Sequence, residues 1–315
     1  MSLDSQAKQL LDSIRAGGAL SLDKLSPDEA RMQALATLKR PNDSRIPAVD
    51  TKDIDLDVAG GRIPMRIYTP NGNGPFPVLI YFHGGGWVMG GIENTDSLCR
   101  FFSALAECIV VSVAYRLAPE YKFPVPFEDA YTATEWIFAN ASSFNGETER
   151  LAIGGDSAGG NLAAAITQRA RDHSGPAICY QMLFYPVLDH YSQKHASYKE
   201  VGDDYFLGAS EMAWFWDHYT RPDEDLNNPY LCPLRAEIFS NLPATLVVTA
   251  EYDPLRDEGE KYAEKLKLAG VSVEQKRIDG MMHGFINQWH IMDKSYEVIL
   301  QICKSLKENL HQQSL

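Results

Sequence analysis

Residues 151–162 read LAIGGDSAGGNL, and this stretch decides the fold class. The apolar run 151–153 is typical of a buried strand, and the residues after Gly159 are typical of a helix. Between them lies GDSAG at 155–159, a G-x-S-x-G pattern whose small residues allow a strained turn that exposes the serine hydroxyl. The stretch predicts a strand, a sharp turn and a helix, with Ser157 as a candidate nucleophile. Taken alone, the motif fits a glycine-rich turn with an unreactive serine about equally well.

The alternation of strand and helix continues along the chain on both sides of this turn. Apolar runs typical of strands buried on both faces lie at 78–82, 109–114, 151–153, 182–184 and 245–249. Helix-length segments lie at 94–106, 127–140, 158–172 and 256–269, before a last strand at 271–278 and a closing helix at 292–310. Segments 52–58 and 62–69 alternate apolar and polar residues around a glycine turn, as antiparallel hairpins do. This order predicts a mostly parallel sheet with helices on both faces.

One long insertion, residues 188–235, interrupts this order. It contains no obvious strand and is rich in aromatic residues, among them Tyr191, Tyr198, Tyr205, Phe206, Trp214, Phe215, Trp216 and Tyr219. At the other end of the sequence, Ala7, Leu10, Leu11 and Ile14 form the apolar stripe of an N-terminal helix. We expect a single domain over 1–315, in which 1–45 and 188–235 form a helical cap over a catalytic core of 46–187 and 236–315.

A second motif, HGGGW at 83–87, directly follows a predicted buried strand. Acyl transfer requires hydrogen-bond donors at the oxygen that becomes negatively charged, and glycines let backbone N–H groups approach a substrate closely. We expect the N–H groups of Gly84, Gly85 and Ala158 to form this oxyanion hole. His83 is interpreted as a residue that shapes the loop through local hydrogen bonds. A merely flexible triple-glycine loop is the alternative.

A serine nucleophile needs a histidine base and a carboxylate that orients it, and in this strand order the acid precedes the histidine along the chain. The strand predicted at 245–249 is followed by AEYDPLRD, in which Asp253 is the candidate acid. Asp257 is the competitor, although a role as the cap of the following helix suits it better. Beyond the last predicted strand lie His283, in the glycine-flanked segment GMMHGF, and His290. We favour His283 as the base and assign His290 to the approach to the final helix.

Composition narrows the classes of partner and the compartment. Lys+Arg 29 against Asp+Glu 42 gives a net charge of −13, which argues against nucleic acid and anionic membranes as partners. The five cysteines are scattered and have no zinc-ligand spacing, so we expect reduced thiols. Hydrolysis by a serine, a histidine and a carboxylate needs no metal or organic cofactor, and we expect none. Charged residues interrupt the N-terminus, and no apolar run is long enough to span a bilayer. The expectation is a cytoplasmic protein with no stable membrane association.

Five motifs together resemble the hormone-sensitive lipase family of α/β hydrolases, in particular its bacterial and archaeal carboxylesterase branch. They are HGGGWVMG at 83–90, YRLAPE at 115–120, GGDSAGGN at 154–161, DPLRDEG at 253–259 and HGF at 283–285. The resemblance implies the α/β-hydrolase fold, a mostly parallel sheet of about eight strands with a helical cap. It also implies ester hydrolysis with Ser157 as nucleophile, His283 as general acid and base, and Asp253 as orienting acid. Members of this family often form homodimers through the last strand and helix, so a homodimer is expected.

The substrate is expected to be a small-molecule ester with a short or medium acyl chain, because an aromatic-rich cap leaves little room for long chains. Nine residues are candidates for contact with the substrate, although packing in the core would explain each of them equally well. They are Trp87, Tyr185, Phe206, Leu207, Met212, Trp216, Met282, Phe285 and Ile286. An amidase or formamidase with the same triad is an alternative activity. A ligand receptor on a hydrolase scaffold, like the plant gibberellin receptors, is disfavoured because all three triad residues are present.

Overall fold

The computed structural model describes residues 2–37 and 43–311, and its centre is a single sheet of eight strands. The strands are β1 (Asp50–Val58), β2 (Gly61–Thr69), β3 (Phe76–Phe82), β4 (Ile109–Val113), β5 (Gly146–Asp156), β6 (Tyr180–Phe184), β7 (Ala244–Tyr252) and β8 (Val273–Met282). Their order across the sheet is β1-β2-β4-β3-β5-β6-β7-β8. The pairings β1 with β2 and β2 with β4 are antiparallel, and all others are parallel. The predicted mostly parallel sheet is confirmed.

Helices cover both faces of this sheet. Within the described residues they are α1 (Ser5–Ala16), α2 (Pro27–Thr37), α3 (Ile92–Ala106), α4 (Val125–Asn140), α5 (Ala158–Asp172), α6 (Ala196–Val201), α7 (Ala209–Tyr219), α8 (Arg256–Leu268) and α9 (Asp293–His311). Successive side chains of a strand point to opposite faces, so Ile80 of β3 joins a core with α4, α5 and α8, whereas the next residue, Tyr81, joins a second core with α3 and α9. The two cores define a three-layer architecture.

Several predicted element boundaries needed correction. Strand β5 begins five residues earlier than the apolar run at 151–153, because its first half is partly exposed and carries charged residues. Strand β8 ends at Met282 and not at residue 278, since the chain continues in the sheet past Gly280, whose φ is 76°. The hairpin is as expected: Val58 pairs with Gly61 across a two-residue turn. Each of four candidate site residues directly follows the end of a strand, and these are His83, Ser157, Asp253 and His283.

The insertion 188–235 has no strand and contains α6, α7 and two short 3-10 turns. Its two ends are joined, because Leu234 donates its N–H to the Leu188 carbonyl at 2.9 Å and Arg235 Nε lies 2.7 Å from Asp189 Oδ1. The N-terminal segment contacts the insertion: Trp214 Nε1 donates to the Leu25 carbonyl at 3.1 Å. The cap predicted from 1–45 includes residues 1 and 38–42, which lie outside the described residues.

The cysteine side chains are mostly buried and remain free thiols. Cys99, Cys108, Cys232 and Cys303 are buried, Cys179 is exposed, and none of the five forms a disulfide. Burial raises the pKa of each of the four buried thiols, so these groups are unreactive. Across residues 2–37 and 43–311, no helix combines the length and the apolar character that a membrane crossing requires.

Candidate active site

Ser157 lies at the turn between β5 and α5 and has a backbone conformation that is strained for a residue with a side chain. Its φ is 56° and its ψ is −118°. The turn is tight enough that a Cβ on Gly159 would lie 2.0 Å from the Phe82 carbonyl oxygen, and one on Gly155 would lie 2.3 Å from the Gly159 backbone. Only glycine fits at both positions, and the neighbouring backbones pack against the turn. The serine is therefore fixed at the carboxyl edge of the sheet.

A continuous line of hydrogen bonds joins Ser157, His283 and Asp253. His283 Nε2 lies 3.0 Å from Ser157 Oγ, and His283 Nδ1 lies 2.7 Å from Asp253 Oδ2. The carboxylate can only accept, so Nδ1 carries the proton and the lone pair of Nε2 faces the serine hydroxyl. All three side chains are buried, with Asp253 fully so. This is the arrangement in which a histidine removes the proton of a serine as the serine attacks.

Asp257 and His290, the two competing residues, are placed elsewhere. The carboxylate of Asp257 accepts the N–H of Ser197, in the insertion, at 2.8 Å. The expectation that Asp257 caps α8 is wrong, because the residue lies inside the first turn of that helix and bonds to Ser197 instead of the helix N–H groups. His290 packs edge-on against Trp289, with ring centroids 5.8 Å apart.

In the glycine loop after β3, the structure differs from the prediction for one of the three oxyanion donors. The N–H of Gly84 donates to Asp156 Oδ1 at 3.1 Å, so the prediction that Gly84 contributes to the oxyanion hole is wrong. Among the residues that the structure describes, the N–H groups of Gly85, Gly86 and Ala158 have no acceptor. Gly85 has φ of 113° and Gly86 of 59°, conformations that favour glycine. A Cβ on Gly86 would lie 2.0 Å from the Phe215 ring, so α7 rests directly on this loop.

Asp156, which the sequence analysis did not single out, connects three loops of the site. Besides the Gly84 N–H, it accepts the Tyr81 hydroxyl at 3.0 Å and the Asn287 side-chain amide at 3.0 Å. Burial raises the pKa of the Asp156 carboxyl, while these three donors oppose that rise. Its position next to Ser157 in the motif was the signal in the sequence that could have identified it.

Comparison with known proteins places this arrangement in a family. A family model described as alpha/beta hydrolase fold matches residues 79–287. The carboxylic ester hydrolase LipN of Mycobacterium tuberculosis is 40% identical over 268 residues, which is 83% of this chain and 71% of LipN. An arylesterase of Saccharolobus solfataricus is 37% identical over 91% of this chain and 93% of its own.

A solved structure shows the same similarity in three dimensions. The hyperthermophilic esterase of Pyrobaculum calidifontis superposes with a TM-score of 0.91 at 38% identity, and the match covers 98% of this chain and 99% of that one. The chain belongs to the hormone-sensitive lipase family of α/β hydrolases. The resemblance inferred from five motifs is therefore confirmed, and so is the α/β-hydrolase fold.

In this α/β hydrolase, the ring of His83 forms a local hydrogen bond, as expected, and its backbone carbonyl accepts the Tyr115 hydroxyl at 2.8 Å. Its Nδ1 lies 2.8 Å from the Gly84 carbonyl oxygen and must carry the proton, since a carbonyl can only accept. The ring stacks on Tyr115 with centroids 4.4 Å apart, and Nε2 is buried with no partner among the described residues. Burial lowers the pKa of His83 to about 4, so the ring is neutral at pH 7.

The nine candidate binding residues fall into three groups in the hydrolase. Tyr185 and Phe285 lie near His283: the Tyr185 ring centroid is 4.6 Å from that of His283 and 5.8 Å from that of Phe285. Phe206 is 40% exposed and packs on Gly284, where a Cβ would lie 3.2 Å from the ring. The remaining six are buried, with Trp87 and Trp216 in one aromatic cluster: Trp87, Leu207, Met212, Trp216, Met282 and Ile286.

Over residues 2–37 and 43–311, no group of three or more His, Cys, Asp and Glu side chains is arranged to hold a metal ion.

Proposed function

We propose that this α/β hydrolase cleaves carboxylic esters through an acyl-enzyme intermediate on Ser157. The observation that carries the proposal is the line of hydrogen bonds from Ser157 through His283 to Asp253, with distances of 3.0 Å and 2.7 Å. Relatives named as carboxylic ester hydrolase and arylesterase, at 40% and 37% identity, support an ester as the substrate.

In the first half of the reaction, Ser157 Oγ bonds to the ester carbonyl carbon while its proton moves to His283 Nε2. The carbonyl oxygen becomes an oxyanion, and we assign its donors to the N–H groups of Gly85, Gly86 and Ala158, which have no acceptor among the described residues. Asp253 stabilises the imidazolium through Nδ1. The C–O bond to the alcohol then breaks, and the proton on Nε2 passes to the leaving oxygen.

In the second half, water takes the place of the alcohol. His283 Nε2 removes a proton from the water as the water oxygen attacks the acyl carbon, and the oxyanion forms again at the same donors. The bond to Ser157 Oγ then breaks, the serine recovers its proton from His283, and the carboxylic acid leaves. The same residues act in both halves, so the cycle consumes only ester and water.

We assign short and medium acyl chains to this site. Ser157 is 7% exposed and His283 8% exposed, so the reacting atoms lie in a confined space. The insertion 188–235 rests on the glycine loop through Phe215, and together with 1–45 it forms the cap in this proposal. Tyr185 and Phe285 on the base side, and Phe206 at the exposed rim, are the proposed contacts to substrate.

Two further expectations belong to the proposal. Family members often pair through the last strand and helix, and in this chain β8 is an edge strand of the sheet. We therefore expect a homodimer, which sedimentation analysis would distinguish from a monomer. We also propose that the protein is cytoplasmic.

The decisive experiment compares p-nitrophenyl esters of increasing acyl length with the wild type and Ser157→Ala, both checked for folding by circular dichroism. We expect kcat/KM to peak at short to medium chains and to fall at least about 10⁴-fold in the variant. Matched anilides test the amidase alternative. Faster cleavage of anilides than of esters would replace the proposal, and folded wild type without turnover of either would contradict it. Faster hydrolysis of emulsified long-chain triglyceride would contradict the chain-length assignment alone.

A further inference from the structure

Ser197, at the start of α6 in the insertion, forms three hydrogen bonds to the turn that carries the catalytic acid. Its Oγ donates to the Pro254 carbonyl at 2.5 Å, and its N–H donates to Asp257 Oδ2 at 2.8 Å. The Asp257 N–H in turn donates to Ser197 Oγ at 3.4 Å. Ser197 is fully buried, so these bonds do not exchange with water. One small side chain thus holds both sides of a tight turn.

The turn held in this way is the one that orients the base. Asp253 directs Oδ2 at His283 Nδ1 and accepts the Leu255 N–H at Oδ1 with a distance of 2.8 Å. The carbonyl bonded by Ser197 belongs to the Pro254–Leu255 peptide, and the N–H of that same planar group is the one that donates to Asp253 Oδ1. Removal of the hydroxyl leaves that buried carbonyl without its donor, and the turn is then free to shift.

We propose that Ser197 is a positioning residue for ester hydrolysis, which acts through Asp253 to hold His283 in line with Ser157. The proposal rests on the proposed function. Ser197 touches none of the reacting atoms. It transmits the position of the insertion to the acid turn, so the segment that covers the site also aligns the triad. Catalytic geometry tolerates only a few tenths of an ångström of misplacement, and such an outer support is therefore expected to influence the rate.

The test begins with Ser197→Ala and a matched control. Ser210→Ala removes a second hydroxyl of the insertion, one that donates to Asp203 Oδ1 at 3.0 Å and has no bond to the acid turn. With p-nitrophenyl butyrate, we expect Ser197→Ala to lower kcat about tenfold with KM changed less than about twofold. Ser210→Ala should match the wild type in both constants. A rise in KM with unchanged kcat, or an equal loss in Ser210→Ala, would contradict the proposal.

A pair of isosteric variants keeps the test valid if alanine disturbs folding. Ser197→Thr and Ser197→Val have nearly the same shape, but only threonine retains the hydroxyl. We expect the threonine variant to have a kcat at least about five times that of the valine variant. Equal kcat values for the two would show that the hydroxyl does not act in catalysis.

A double-mutant cycle tests whether Ser197 acts through Asp253. In an Asp253→Asn background the oriented carboxylate is already lost, so the addition of Ser197→Ala should lower kcat less than about twofold further. A full tenfold further loss would contradict the route through Asp253. This outcome is separate from failure of the proposed function, which would appear as a wild type that hydrolyses no ester or a Ser157→Ala variant that remains active.

Discussion

Gly84 donates its backbone N–H to Asp156 Oδ1 across a distance of 3.1 Å. The bond joins the glycine loop after β3 to the residue directly before Ser157. Asn287, in the loop after His283, donates its side-chain amide to Asp156 Oδ2 at 3.0 Å. One buried carboxylate thus connects the turn of Ser157, the loop after His283 and the loop that we assign to the oxyanion.

Asp156→Asn should therefore lower kcat. In its observed orientation, the Asn287 amide nitrogen would face the nitrogen of the new amide, and the bond between the loops could form again only after the Asn287 side chain turned over. The charged acceptor for the Tyr81 hydroxyl and the Gly84 N–H would also become neutral. Displaced oxyanion donors cost up to about 10²–10³ in rate, and we expect a loss of about 10–100-fold in kcat. Steady-state kinetics with p-nitrophenyl butyrate measures it.

A reversed pair checks this explanation. In the double variant Asp156→Asn with Asn287→Asp, a donor at 156 again faces an acceptor at 287. The double variant should recover at least about half of the lost activation free energy. No recovery would show that the charge of Asp156, and not the bond between the loops, is what the reaction needs.

Asp253→Asn should abolish most of the activity. An amide in place of Oδ2 would favour the wrong tautomer of His283, and in serine hydrolases this change lowers kcat by about 10⁴. Asp257→Asn is the control, since an amide oxygen still accepts the Ser197 N–H, and less than about a fivefold change is expected. If Asp257→Asn were the more damaging of the two, the assignment of the acid would be reversed.

Phe206→Ala should weaken binding of esters with aromatic alcohols. The ring is 40% exposed and packs on Gly284, the residue after His283. In the proposed mechanism His283 protonates the leaving alcohol, so the alcohol side of the substrate is expected nearest to this ring. Loss of an aromatic contact of about 1–1.5 kcal/mol raises KM about tenfold. We expect this rise for benzyl acetate and none above about twofold for ethyl acetate.

Tyr121→Ala is the matched control for Phe206, since Tyr121 is also 40% exposed but packs under Arg116, in the loop after β4. Its kinetics with both acetates should equal those of the wild type. If Phe206→Ala changed the acyl-chain profile and left the two acetates equally affected, Phe206 would belong to the acyl side.

Stability should fall on mild acidification because of His83. Burial lowers its pKa from 6.5 to about 4, so the unfolded chain binds a proton that the folded protein excludes. The stabilising difference is complete above pH 6.5 and is lost as pH falls, by roughly 2 kcal/mol between pH 7 and pH 5. His83→Asn keeps a donor for the Gly84 carbonyl but does not titrate.

The measurement is the free energy of unfolding of both proteins by urea at pH 7 and at pH 5. The wild type should lose about 2 kcal/mol more than His83→Asn over this interval. Parallel losses in the two proteins would show that His83 is protonated in the folded state.

Much of the fold could be predicted from the sequence because its strands are buried on both faces. All residues of β3, β4 and β6 are buried, so continuous apolar runs marked them. The ends of β5 and β8 were harder to predict, since the first half of β5 is charged and Gly280 lies within β8. Strand ends that are held mainly by pairing with neighbouring strands leave no clear hydrophobic pattern in their own sequence.

The same distinction holds for the site. Ser157, His283 and Asp253 could be located from motifs and strand order, because each directly follows a strand. The engagement of the Gly84 N–H by Asp156 and of the Asp257 carboxylate by Ser197 could not, since those pairs are 72 and 60 residues apart. Such bonds depend on the exact packing of loops, about which spacing along the chain says nothing.

The hydrogen bond between Ser157 and His283 spans 126 residues of chain. During synthesis Ser157 therefore leaves the ribosome well before His283, and β8 must join the edge of the sheet before the two can meet. A nascent chain that has completed the serine turn but not β8 is expected to hydrolyse no ester, because a serine hydroxyl without a base is a poor nucleophile. Hydrolytic activity is consequently a reporter of finished folding, and recovery of turnover after dilution from urea would time the docking of the last strand.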